Sequence, residues 1–372
     1  MRDPERPNPA REEAIAQVMS MFYNVDDYTG ENLPPLKEEV ISGVLRLGHT
    51  MQITAKSKSG KSWMLAGLAV ALANGGMWMG HDCRRCNVAY FDTEIDKDSL
   101  FKRFDDVKRR TGYTERTDNL HLCPLRGKVP DINEVAAAVE TVMGSGDAFD
   151  VVVLDSLYSF ETGDENSVGD MRSLMSALNR ISACGCSVIW SHHHAKGAAG
   201  ARDVVDRGAG SGIFGRAPDA IVDLTDIAIK PDSEEEAYLA EHFEGRRVLP
   251  LRVSYVLREF PDPGQQSVVF DWPLFVRCPM LDACPERGSA AAYAQAGNAA
   301  NVAKNVDRRA DRDDAIADAL MRCARDGVLP TRANVYERLP TDCSESTFRN
   351  WTKRGDSRTS YYADEDNMII HE

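Results

Sequence analysis

The sequence predicts an α/β fold built on a mostly parallel sheet, and three observations predict it. β-like apolar runs alternate with helical ones from about residue 37 to 230. Runs at 88–91, 151–154 and 187–190 are almost continuously apolar, as in strands covered on both faces. Residues 247–276 instead alternate, which predicts antiparallel strands extending the sheet. Helical stretches at 61–74, 135–142 and 171–181 separate the buried strands.

The remaining segments follow in order. Residues 1–36 read as an N-terminal extension, with helical apolar spacing over 12–22 and a stop at Pro34-Pro35. Residues 37–284 form the main domain. Residues 285–311, rich in Ala, Asn, Gly and charge, read as a linker, in part helical. Residues 312–372 form a small module with helices over 313–325, 331–339 and 344–353, the last capped by Ser344. Segments 360–362 and 368–370 then pair as a hairpin. That order matches a winged helix-turn-helix.

Composition narrows the class. Across 372 residues no apolar run reaches about 18, so a membrane span is not expected. The polar start, Met-Arg-Asp-Pro-Glu-Arg-Pro, lacks a signal-peptide core. Nine scattered cysteines point to reduced thiols and a cytoplasmic protein. Cys83 and Cys86 form a C-x-x-C, and Cys184 and Cys186 a second close pair. Zinc needs four ligands, and no second pair has matching spacing, so a turn before a strand is the plainer reading. A net charge of −14 means that any DNA contact has to come from a local basic surface.

The chemistry-bearing stretch is residues 51–66. An apolar run ends in Ser59-Gly60-Lys61-Ser62 and passes into a helical pattern, the strand–loop–helix layout of a phosphate-binding P-loop. Lys61 would reach the β- and γ-phosphates, and Ser62 would place a hydroxyl on Mg²⁺. Ala55 stands where the first Gly is usual, at little cost if its φ is negative. Asp155 ends a buried strand, where a second Mg²⁺ acid belongs. Asp92 and Glu94 sit at alternate positions at another strand end, facing the same way. Either could orient water, and Glu94 is preferred. His192, His193 and His194 point alternately to opposite faces, so they cannot converge on one metal. A γ-phosphate contact fits them better. The Gly-rich segment 197–212 carries Arg202 and Arg207, with Arg216 just beyond, and reads as a ligand- or DNA-contacting loop. No Asn-Lys-x-Asp run is present, which favours ATP over GTP. Arg349, Lys353, Arg354 and Arg358 cluster on or after the third tail helix, where phosphate contacts are expected.

Taken together these blocks resemble RecA-fold P-loop ATPases of the plasmid RepA type, the hexameric-helicase-like ATPases of mobile elements and phages. The resemblance covers about residues 35–275. It rests on Leu45-Arg-Leu-Gly-His leading into Lys58-Ser-Gly-Lys-Ser, on Tyr90-Phe-Asp-Thr-Glu-Ile-Asp96, and on Leu154-Asp-Ser-Leu-Tyr158 with 163–167. His192-His-His-Ala-Lys-Gly197 and the block at 206–219 complete it. It implies a RecA-like core, ATP with Mg²⁺, and a ring, usually of six subunits, with ATP at each interface. In helicase members the channel carries single-stranded DNA. By position, Ala55, Ser59, Gly60, Lys61, Ser62, Trp63 and Asp155 would hold nucleotide and Mg²⁺. Glu94 would activate water and His193 sense the γ-phosphate. Arg207, with Arg216 second, would act as a finger on a neighbour's ATP. Lys196 and Arg202 are the candidates for contacting DNA in the channel. Replication-initiation proteins are expected partners. The alternative is an ATPase switch that regulates a replication, transposition or defence partner without unwinding DNA.

Overall fold

The computed structural model describes residues 9–146, 148–160, 168–194, 199–208, 215–246, 248–339, 343–355 and 358–371. Helix α1 (Pro9–Met19) leads through two 3-10 turns to a ribbon of β1 (Glu39–Ile41) and β2 (Leu45–Arg46). β3 (Thr50–Ala55) feeds α2 (Lys61–Asn74). A second ribbon, β4 (Met77–Trp78) with β5 (His81–Asp82), precedes β6 (Val88–Asp92) and α3 (Lys97–Thr111). β7 (Leu120–Pro124), α4 (Ile132–Ser145), β8 (Val151–Asp155), α5 (Val168–Ala183), β9 (Ser187–His193) and β10 (Ala220–Asp226) follow. α6 (Glu234–His242) leads to β11 (Leu249–Leu257), β12 (Gln266–Asp271) and β13 (Leu274–Arg277). Last come α7 (Ala290–Asp326), α8 (Arg332–Tyr336), α9 (Glu345–Trp351), β14 (Tyr361–Ala363) and β15 (Ile369–His371).

One sheet of nine strands organises the main domain, in the order β13-β12-β11-β10-β3-β9-β8-β6-β7. Strands β10, β3, β9, β8, β6 and β7 are mutually parallel. β11, β12 and β13 add antiparallel on the β10 side, as the alternation over 247–276 predicts. The continuous apolar runs have their cause in the layering. Met51, Ile53, Val88, Tyr90, Val151, Val153 and Ile189 face α2 and α3. The alternate positions Ala89, Val152, Leu154, Val188 and Trp190 face α4 and α5. Each strand buries both its faces, so hydrophobic burial selects against polar alternation.

Local signals set the helix ends. The Asp96 carboxylate accepts the Ser99 N–H to start α3, and Asp131 with Glu134 makes a capping box for α4. α1 lies about a turn earlier than the predicted 12–22. The stretch read as a linker, in part helical, is helical from Ala290 onward, within one 37-residue helix, α7, that is capped by Ser289 and runs through Asp326. Its Ala-rich composition supplies helix propensity where apolar periodicity is weak.

Residues beyond α7's midpoint surround a core of their own, built on Ile316, Ala319, Cys323, Val335, Phe348 and Ile369. The order is helix, helix, helix, antiparallel pair, and Ser344 accepts the Thr347 N–H to cap α9. Cys83 and Cys86 are buried just before β6, where burial pushes their thiols up to about 12 and about 11. Among the described residues no metal-ligand cluster forms there or elsewhere. No described helix is long and apolar enough to cross a membrane.

Because Phe348 is fully buried in the C-terminal core alone, Phe348→Ala is expected to cost that unit about 3–5 kcal/mol. Hydrogen exchange should show α8, α9 and the hairpin opening while α2 and β3 stay protected. Equal loss of protection in both regions would reject the separation.

Candidate active site

Parallel register places the chemistry. Ala55 aligns with His193 across β3 and β9, and Asp92 aligns with Asp155 across β6 and β8. The carboxyl ends of four strands therefore open on one crevice, the usual ligand position in a parallel sheet. A cleft of about 290 Å³ lies there, lined by Lys58, Lys61, Ser62, Glu94, Asp155 and His193 among others.

The loop between β3 and α2 is shaped by backbone conformation. Ala55 is the last residue of β3, fully buried and without positive φ, so its methyl group costs nothing there. Gly60 has φ +88°, and a Cβ on it would lie 2.9 Å from the Phe275 ring. The left-handed φ favours glycine, and a Cβ would in addition push the tip of the ring aside. Lys58 is exposed and left-handed at φ 62°, a conformation that costs a non-glycine residue roughly 1–2 kcal/mol. The Ser59 hydroxyl turns inward and donates to the Lys56 carbonyl at 2.7 Å, so this residue can offer a ligand only its backbone. Lys56 itself is ion-paired with Asp226.

Lys61 is buried at the start of α2. Its Nζ donates to the carbonyls of Ala55 and Lys56, each at 3.0 Å, and lies 3.0 Å from His193 Nδ1. Burial lowers its pKa to about 8, against the raising pull of Asp155 and Glu94. Burial and the Lys61 charge likewise lower the pKa of His193. A polyanion entering the cleft would restore a counter-charge to this ammonium.

The acids have distinct settings. Asp155 is buried, with Oδ2 accepting from the Tyr90 hydroxyl and Oδ1 from Ser191 Oγ, each at 2.8 Å. Each oxygen keeps a lone pair. The neighbouring Ser156 Oγ is buried without a partner. Ser62 and Asp155 are hard oxygen donors lining one cleft, a set that suits Mg²⁺. Asp92 and Glu94 do not face alike as predicted, because β6 ends at Asp92. The Asp92 carboxylate turns back to accept the N–H groups of Glu94 and Ile95 at 3.0 and 2.9 Å. Burial still raises its pKa to about 6. Asp92 thus builds the turn that leaves Glu94 exposed at the cleft wall, where a carboxylate can accept a proton from water.

His193 and His194 point opposite ways, as extended backbone requires. His194 Nε2 meets Asp223 Oδ1 at 2.7 Å, and Thr54 Oγ1 donates to the same oxygen at 2.6 Å. Arg207, the first candidate for a finger, is corrected by its surroundings. It is 5% exposed, paired with Asp223 at 2.6 Å and Glu286 at 2.7 Å, and donates to the Arg202 carbonyl. A guanidinium neutralised by two carboxylates of its own subunit is not available to a neighbour's phosphate. Arg216 is exposed, as are Arg202, Arg349 and Lys353. Arg349 pairs with Glu345 one turn away. Lys196, the 163–167 block and much of the Gly-rich segment lie outside the described residues.

The antiparallel extension and α3 contribute residues that motif reading missed. Phe270 of β12 and Arg103 of α3 line the cleft with Trp63. The Arg103 guanidinium lies 4.9 Å from the Trp63 ring centroid, and Trp272 packs edge-on to Trp63 at 5.6 Å. The stretch Ser-Val-Val-Phe-Asp-Trp signals a strand, but nothing local ties it to a loop some 200 residues earlier. Chain topology supplies that link.

Fold and site together define a P-loop nucleotide-binding domain. Residues 16–199 match the family model described as AAA domain, which supports an ATP-binding hydrolase.

Two outcomes follow. Binding ATP raises the Lys61 pKa from its free value near 8. Affinity should be flat below pH 8 and fall by up to about tenfold per unit above it, because protonation must then accompany binding. Calorimetry in buffers of different ionisation heat should detect proton uptake at about pH 9; none would refute the assignment. Glu94→Gln should leave ATP affinity near wild type while lowering hydrolysis about 10²–10⁴-fold. A loss below tenfold would remove Glu94 from proton transfer.

Proposed function

We propose that this protein is an ATP-hydrolysing, ring-forming DNA helicase or single-stranded DNA translocase of the RepA-like type, used in plasmid, phage or mobile-element replication. The observation that carries the proposal is the convergence of Lys61, Ser62, Asp155, Glu94 and His193 on one cleft.

Each residue has a part. Lys61 draws the β- and γ-phosphates against the loop, and the aromatic ring of Trp63, with Phe270, forms a wall suited to a nucleobase. Ser62 and Asp155 would hold Mg²⁺, which when bound neutralises phosphate charge. Glu94 takes the proton of the attacking water as the bond from phosphorus to the leaving oxygen breaks. His193, in contact with Lys61, reports whether a γ-phosphate is present. A second subunit would bring Arg216 to the charge that develops on the γ-phosphate, and head-to-tail repetition of that contact closes a ring. Exposed Arg202, Arg349 and Lys353 are the described candidates for DNA phosphate contacts, and Lys196 remains a candidate from sequence.

A second reading, an ATPase switch acting on a replication or defence partner, draws support from the acidic total of −14. Strand displacement on a forked duplex separates the two. The helicase reading expects ATP-dependent displacement that Lys61→Ala abolishes. ATPase activity indifferent to single-stranded DNA, with no displacement, would leave the switch.

A further inference from the structure

The segment before the sheet presents an apolar surface that its own subunit does not cover. Along α1, Ile15, Val18 and Met19 fall at i, i+3 and i+4, one stripe of the helix, and Phe22 follows just past its end. They are 54, 57, 65 and 74% exposed. Met21, Tyr23, Val25, Leu33 and Leu36 continue the exposure to the root of β1. The described hydrogen bonds of residues 9–36 stay within the segment, as from Ser20 to Ala16 and Leu33 to Gly30, and its ring contact joins Tyr23 to Tyr28. The exposed apolar area is on the order of 1,000 Å², more than the largest patch of an ordinary monomer and close to one partner's share of a standard protein interface.

Charge selects among partners. Glu12, Glu13, Asp26, Asp27 and Glu31 stand against Arg11 alone over residues 9–36, which disfavours nucleic acid and an anionic lipid surface. The same chain carries a complementary face. α3 exposes Phe101, 49% accessible, and its last turn holds Lys108 with Arg109 and Arg110, whose guanidinium groups stay largely exposed while pairing with Asp105 and Asp271. The AAA domain match begins at residue 16, so most of the arm belongs to the matched domain although it does not pack on it.

We infer that residues 9–36 are an exchange arm whose apolar stripe docks on α3 of a second copy of this chain, Phe101 seating against the stripe and the basic last turn meeting the arm's acids. The contact is heterologous: each copy gives an arm and receives one, so repetition leads to a ring or a filament. It shares self-association with the ring-forming reading but is tested without nucleotide or DNA, so its failure leaves the ATPase assignment standing.

Sedimentation of the full chain over a micromolar concentration series is the test. One variant carries Val18→Asp and Phe22→Asp, and a second carries Phe101→Asp. All three side chains are largely exposed, so both variants should keep wild-type melting of the main domain. Wild type is expected to gain mass with concentration, and each variant to remain monomeric. An equimolar mixture should recover dimers and nothing larger, because one intact arm and one intact face remain. A monomeric wild type, either variant at wild-type mass, or a mixture without dimers would overturn the inference.

Discussion

A buried ammonium at the carboxyl ends of parallel strands is the constraint on which this site depends. Lys61 begins α2 inside the crevice rather than at its mouth, held by two backbone carbonyls and bordered by His193. Desolvation makes the charge expensive, and Asp155 and Glu94 offset part of the cost. The result is a site with an unmet demand for anionic charge. Everything around it serves to hold that demand in place: the glycine that lets the loop pass under Phe275, the hydroxyls that orient Asp155, and the Asp92 turn that carries Glu94.

Behind the cleft, Asp223 is a hub with no direct part in it. Its two carboxylate oxygens gather Thr54 from β3, His194 from just past β9 and Arg207 from the Gly-rich segment. Arg207 continues to Glu286, three residues before the cap of α7. A buried chain of paired groups of this kind is costly to half-break, since removing one member strands a charge in low dielectric. It gives rigid registration between the strand that bears His193 and the base of the long helix. Arg207 belongs to this network, which is why a reading of Arg in a Gly-rich segment as a finger did not survive.

Legibility followed the range of the forces involved. The P-loop, the strand-end Asp155 and the alternation of strand and helix are local patterns, and the sheet contains them where the periodicity places them. The 285–311 stretch, read as a linker in part helical, is helical from Ala290 onward, because helix propensity carries α7 through it despite weak apolar spacing. Asp92 misled because strand alternation was extended past the residue where the strand ends. Phe270 was invisible as a site residue because its proximity to Lys61 exists only after the antiparallel strands fold back beside β10, and Arg103 because α3 reaches the cleft only once the sheet is assembled.

By itself, then, the sequence determined the class of fold and the phosphate-binding loop, because both are written in residues close along the chain: a buried strand, a left-handed glycine, a lysine opening a helix. Tertiary structure decided which charges are free. Arg207 and Arg216 are equally basic and nine residues apart in sequence. One is buried between Asp223 and Glu286 while the other stands in solvent. The difference comes from partners brought in by β10 and the approach to α7, and no local pattern encodes pairing with residues so far along the chain.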